Sequence, residues 1–92
     1  LKAILTYSTT IDGKTVEQTR IFDTEKASKI CDVANANGYK AQEIYITKKG
    51  VLFIYSIKSK KIEVADQKQC KEWIGEHAPD EYIKFFGEVE EG

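Results

Sequence analysis

His77 is the one histidine of this chain, and Cys31 and Cys70 are its two cysteines. Nucleophilic or metal chemistry would have to start at these three, because a thiolate needs a base beside it and a metal needs several donors at set spacing. The cysteines stand far apart and form no CxxC, and His77 has no cysteine ladder near it. Each cysteine falls on the apolar stripe of an expected helix, which predicts two buried structural thiols rather than a disulfide or a redox pair. His77 falls on the stripe led by Trp73, which predicts a half-buried structural histidine. No serine stands in a nucleophile elbow, and neither a GxxxxGK nor a GxGxxG loop occurs. Asp12, Asp23, Asp66 and Asp80 each sit at an expected turn or cap, so structure accounts for them without paired-carboxylate hydrolysis. The expectation is a protein that is no enzyme and holds no metal or cofactor.

Recognition by surfaces remains. Lys48, Lys49, Lys58, Lys60 and Lys61 make a candidate basic patch around a lysine-rich hairpin, and Tyr45, Phe53 and Tyr55 a candidate protein interface on one sheet face. Lysine is a solubilising point charge and a poorer fork for phosphates and base edges than arginine, of which Arg20 is the one example here. Tyrosine and phenylalanine are enriched in interface cores. A protein partner or self-association is therefore the first expectation. Nucleic-acid binding, with phosphates on the lysines and bases on the aromatics, is the alternative.

The element that must position both sets runs from Glu43 to Ile57, the densest apolar stretch of the chain. Pairing Thr47 with Val51 around Lys48, Lys49 and Gly50 makes a three-residue hairpin loop with a left-handed glycine last. Ile44, Ile46, Leu52 and Ile54 then share one face, and Tyr45, Phe53 and Tyr55 the other. The Tyr45 face has few side chains left to hide it, so it is either an interface or is capped by residues 79–89.

Before this hairpin, residues 3–11 and 14–22 flank Asp12-Gly13, a strong type I′ turn signal. Pairing Ile11 with Lys14 sets Leu5 opposite Arg20, Tyr7 opposite Gln18 and Ile4 opposite Ile21. Neither face of that ribbon is strongly apolar, which predicts an edge position with a wet distal end. Asp23 and Thr24 are credible caps for a helix over 24–37, with Ala27, Ile30, Cys31 and Ala34 as its narrow stripe and Gly38 as its stop.

After the hairpin comes a short strand over 61–64. Asp66 caps a second helix, with Gln69 in a capping-box position and Cys70, Trp73, Ile74 and His77 as its buried stripe. Gly75 weakens its last turn. Pro79 opens a third, short helix carrying Tyr82, Phe85, Phe86 and Val89 on one side and ending at Gly87. The order helix, three strands, helix resembles double-stranded RNA-binding domains. The glycine-proline-histidine loop of that family and the lysine cluster opening its last helix are absent here, so no function is carried over.

The fold class that follows is α+β: a mainly antiparallel sheet of about five strands, in the order β-β-α-β-β-β-α-α, with helices mostly on one face. Residues 1–87 are expected to form one domain and 88–92 an acidic, frayed tail. The chain has 92 residues and a net charge of −1, but lysine dominates residues 40–61 and acid residues 76–92. Its 41% hydrophobic content argues against disorder. No apolar run approaches the roughly 18 residues of a membrane span. A leucine in first position fits a trimmed chain, and few cysteines without a leader favour a cytoplasmic setting. The functional expectation is a small protein-binding module, inhibitor or accessory subunit that uses the aromatic face for a protein partner or for self-association.

Overall fold

A computed structural model of the chain describes residues 1–87, 89 and 90. Strands β1 (Lys2–Ile11) and β2 (Lys14–Asp23) form an antiparallel ribbon. Asp12 and Gly13 turn it at φ 51° and 77°, the left-handed pair that a type I′ turn requires. The register is the expected one, with Ile11 opposite Lys14, Leu5 opposite Arg20 and Ile4 opposite Ile21. The ribbon is not an edge of the main sheet, however. It is a two-stranded sheet of its own.

Residues 24–37 do not form the expected helix. Asp23 does cap a turn: its carboxylate accepts from the Glu25 amide at 3.0 Å and its carbonyl from the Ala27 amide at 3.0 Å. One turn later the chain extends into β3 (Ser28–Ala34). The misleading stripe has a physical origin. The register of β3 shifts between Lys29 and Cys31, a bulge that resets the inside–outside alternation. Ile30, Cys31 and Val33 therefore all reach the same apolar cluster, a spacing closer to a helix than to a strand. The stop also had a second meaning. Gly38, at φ 83°, lies in a hairpin turn in which the Asn35 carboxamide oxygen accepts from the Asn37 and Tyr39 amides at 3.0 and 3.1 Å.

That turn leads into β4 (Lys40–Ile46), followed by β5 (Leu52–Ser56) and β6 (Lys61–Val64). The four strands pair antiparallel in the order β3-β4-β5-β6. Ile44 faces Ile54, Tyr45 faces Phe53, and Gly50 at φ 87° closes the three-residue loop as expected. The described residues thus form six strands rather than about five, in the order β-β-β-β-β-β-α-α. With no helix before β4, the resemblance in element order to double-stranded RNA-binding domains lapses.

Helix α1 (Gln67–His77) starts on Asp66, whose carboxylate accepts from the Gln69 amide at 3.0 Å. Helix α2 (Pro79–Phe86) has Pro79 in its first turn and stops at Gly87, φ 92°. Gln67 ties α1 to the sheet. Its amide oxygen accepts from the Leu52 amide at 2.7 Å, and its amide nitrogen donates to the carbonyls of Leu52 and Ala65, both at 2.8 Å. The side chain stands in for a neighbouring strand where β5 begins, satisfying groups that would otherwise be costly to bury.

The architecture is an α+β fold in which an antiparallel sheet carries helices on one face. Ile30, Ile44, Leu52, Ala65, Cys70 and Ile74 form the core beneath the helices, joined by Trp73, Tyr82, Phe85 and Phe86. A second core lies on the opposite face and comprises Phe22, Tyr45, Phe53 and Ile62, covered by Ala3, Leu5 and Tyr7 of the ribbon. The molecule is flat, with extents of 36 × 34 × 23 Å. Its short axis is what a three-layer stack of ribbon, sheet and helices leaves at about 10 Å per interlayer spacing. Among the described residues, no helix is long and apolar enough to cross a membrane. The expected acidic tail over 88–92 falls largely outside the described residues; Val89, expected on the buried side of α2, is exposed.

Candidate functional site

The aromatic face is core, not open surface. Phe53 has no solvent exposure and Tyr45 is 9% exposed, while Tyr55 is half-buried beside them. Tyr45 stacks on Phe53 with centroids 5.3 Å apart, and Phe22 of the ribbon meets Phe53 edge-on at 5.3 Å. Tyr7 continues the series with an edge contact to Phe22 at 5.8 Å. These are favoured aromatic geometries. The expected interface of Tyr45, Phe53 and Tyr55 is thus closed at two of its three positions. The ribbon covers it, whereas residues 79–86 pack on the helix side. Sequence reasoning missed this because only Ala3, Leu5, Tyr7 and Phe22 of the covering face pack there, among Arg20, Gln18, Thr9 and Lys14, while Val16 and Ile11 at the distal end stay exposed.

At the margin of this core Glu43 gathers three donors. The Tyr45 hydroxyl donates at 2.9 Å, and the ammonium groups of Lys40 and Lys29 at 3.1 and 3.2 Å. Asp32, opposite Glu43 in the β3–β4 ladder, pairs with Lys29 at 2.7 Å. Burial alone would raise the Glu43 carboxyl, but the bonds from Lys40, Tyr45 and Lys29 outweigh it and hold the group below its ordinary range. The bond to Asp32, with those to Glu43, pushes Lys29 up to about 12. Burial and then Glu43 push the Tyr45 hydroxyl up as well. The network neutralises two carboxylates that would repel across the ladder, and so has a structural role.

The five-lysine patch divides in two. Lys48 and Lys49 lie in the β4–β5 loop, while Lys58, Lys60 and Lys61 lie at the β5–β6 turn, at opposite ends of β5. Five residues of strand separate them by about 17 Å. With Phe53 and Tyr45 buried, neither group has the expected flat surface beside it for stacking bases. Lys60 is held at φ 56°, with its amide donating to the Ser56 carbonyl at 2.8 Å, as a tight turn demands.

Both cysteines are free, Cys70 buried and Cys31 half-buried. Burial pushes the Cys70 thiol up to about 11, with Cys31 and Asp66 adding to it, and burial also raises Cys31. Such thiols are poor nucleophiles. His77 is exposed rather than half-buried: its ring stacks on Trp73 at 4.4 Å, and Nδ1 donates to the Trp73 carbonyl at 3.1 Å. Among the described residues, no group of three or more histidine, cysteine, aspartate or glutamate side chains could hold a metal ion.

The surface that stands out is the outer face of the ribbon. Ile4 and Ile21, directly opposite one another, are 70% and 62% exposed. Around them lie Thr6 and Thr19, whose hydroxyls bond across the strands at 2.9 Å, and Ser8, Thr10 and Thr15. Glu17 is the one charge between the end pair of Lys2 and Asp23. Among the described residues, neither outer edge of the ribbon pairs with another strand. The chain finds no match among protein-family models, characterised proteins or solved structures. Fold and site together define a small α+β domain with a closed aromatic cluster and a ribbon whose outer face exposes Ile4 and Ile21.

Proposed function

We propose that the protein is a small, non-enzymatic binding module that associates with protein through the outer face of the β1–β2 ribbon, and that a second copy of the chain is its first partner. The observation that carries this reading is the exposed Ile4–Ile21 pair on a flat ribbon of β-branched and hydroxyl residues. Two such faces meet without like-charge repulsion, because charge is confined to Glu17 and the ribbon's ends. A two-fold dimer uses one patch on both subunits and so requires a self-complementary face. Unpaired strand edges add the possibility of main-chain pairing between copies.

Sedimentation equilibrium over a range of concentrations tests the proposal. The unaltered chain is expected to move between monomer and dimer, and an Ile4→Lys, Ile21→Lys double variant to remain monomeric. Both positions are exposed, so the double variant is expected to keep its circular dichroism spectrum. A chain that is monomeric throughout, or a double variant that dimerises equally well, would overturn the reading.

A further inference from the structure

Beside the ribbon the fold leaves a cleft of about 320 Å³, bounded by the base of β2, the turn after it and the β4–β5 loop. Its inner wall is apolar. Phe22 is fully buried behind it, and Tyr7, Ala27 and Val51 are half-buried along it. Its mouth is basic: Arg20, Lys26, Lys48 and Lys49 line it against one acid, Asp23. Asp23 already accepts from the Glu25 amide. Among the described residues, none of the four cations is paired with a carboxylate, although Lys29 on β3 and Lys40 on β4 are. Two of the four, Lys48 and Lys49, belonged to the lysine-rich hairpin; Arg20 and Lys26 reach the same rim only through the packing of the ribbon.

Arg20 is the more informative of these. It lies opposite Leu5 on the face of the ribbon that packs on the sheet, yet is itself exposed, so its guanidinium stands in solvent at the rim of the cleft. Its Nη1 donates to the Thr19 carbonyl at 3.2 Å, which leaves most of its planar fork unused. A guanidinium fork on a rim that also carries three lysines suits an anionic head, because paired N–H donors match the two oxygens of a carboxylate. An apolar wall of this depth suits a short hydrocarbon or aryl body, and the volume lies at the small end of ligand sites.

We propose that this cleft binds a free amphipathic carboxylate, with its head held by Arg20, Lys26, Lys48 and Lys49 and its apolar body against Phe22, Ala27 and Val51. The site adjoins the face proposed for association, since Ile21 lines both, but three of its four rim cations, Lys26, Lys48 and Lys49, come from outside the ribbon, and the titration below reads the cleft directly. The test is an amide chemical-shift titration of the labelled protein with decanoate, decanol and acetate, each kept below self-association. Decanoate is expected to give saturable shifts at Ala27, Val51 and Phe22. Decanol, lacking the charge, and acetate, lacking the body, are each expected to bind at least about tenfold more weakly. An Arg20→Gln, Lys49→Gln variant is expected to lose about tenfold in decanoate affinity while keeping the spectrum of the folded protein. Decanol binding as well as decanoate, shifts centred away from the cleft, or an unchanged affinity in the variant would each overturn the proposal.

Discussion

Glu43 shows how one side chain is set by its surroundings. Its carboxylate is mostly shielded yet accepts from Tyr45, Lys40 and Lys29, so the folded protein holds it ionised more strongly than the unfolded chain does. A carboxyl lowered in the folded state contributes stability that is present above its unfolded value and is lost as pH falls through the folded value. Lys29 works the other way: its contribution is complete below its ordinary 10.5 and fades only as pH rises through about 12. The acid side is therefore where the network yields. Glu43→Gln is expected to cost about 1 kcal/mol at neutral pH, a modest figure because both lysines are well exposed. Urea unfolding of both proteins checks it: the gap should shrink between about pH 7 and pH 3, and a pH-independent gap would assign the loss to packing instead. Little of this could be read from the sequence, because Lys29, Asp32 and Glu43 meet only once residues 28–34 are a strand beside β4. Gln67 was equally silent, since nothing in its sequence context marks a side chain that bonds to the main chain of Leu52.

Elements defined by turn chemistry were legible, and those defined by tertiary partners were not. Asp12-Gly13, the Gly50 loop, Asp66, Pro79 and Gly87 each required a particular backbone conformation, and β1, β2, β4, β5 and both helices follow from them. Residues 28–34 carried a helix-like spacing because a bulge doubled up Ile30 and Cys31 on one face. Only the unpaired edge of β4, invisible along the chain, decides that this segment extends. Gly75 is a case where local and tertiary demands coincide. A Cβ there would lie 3.4 Å from the Tyr82 ring, an ordinary contact between α1 and α2. Gly75→Ala should therefore gain helix propensity without overpacking and stabilise the protein by about 0.5–1 kcal/mol. Thermal unfolding is the check, and a lowered midpoint would mean that the two helices need the closer approach.

At the scale of the molecule, the central sheet is shared by two cores that scarcely touch one another, one under the helices and one under the ribbon. The fate of the aromatic face depends on this arrangement and is not legible along the chain: the ribbon's weak amphipathicity suggests an edge, whereas a few well-placed side chains suffice to dock it on the sheet. Phe22 is the chief of these, fully buried between Tyr7 and Phe53. A two-stranded ribbon has marginal stability by itself in water, so its order rests on this docking. Phe22→Ala is expected to cost about 3–5 kcal/mol at the contact. Because the helix-side core is untouched, that loss should fall on the ribbon first. Native-state hydrogen exchange of the variant should show the ladder amides around Tyr7 and Gln18 losing protection, while those of Ile44 and Ile54 keep theirs. Equal loss in both sets would instead make the ribbon and the sheet one cooperative unit, with Phe22 stabilising the whole fold rather than the attachment of one layer.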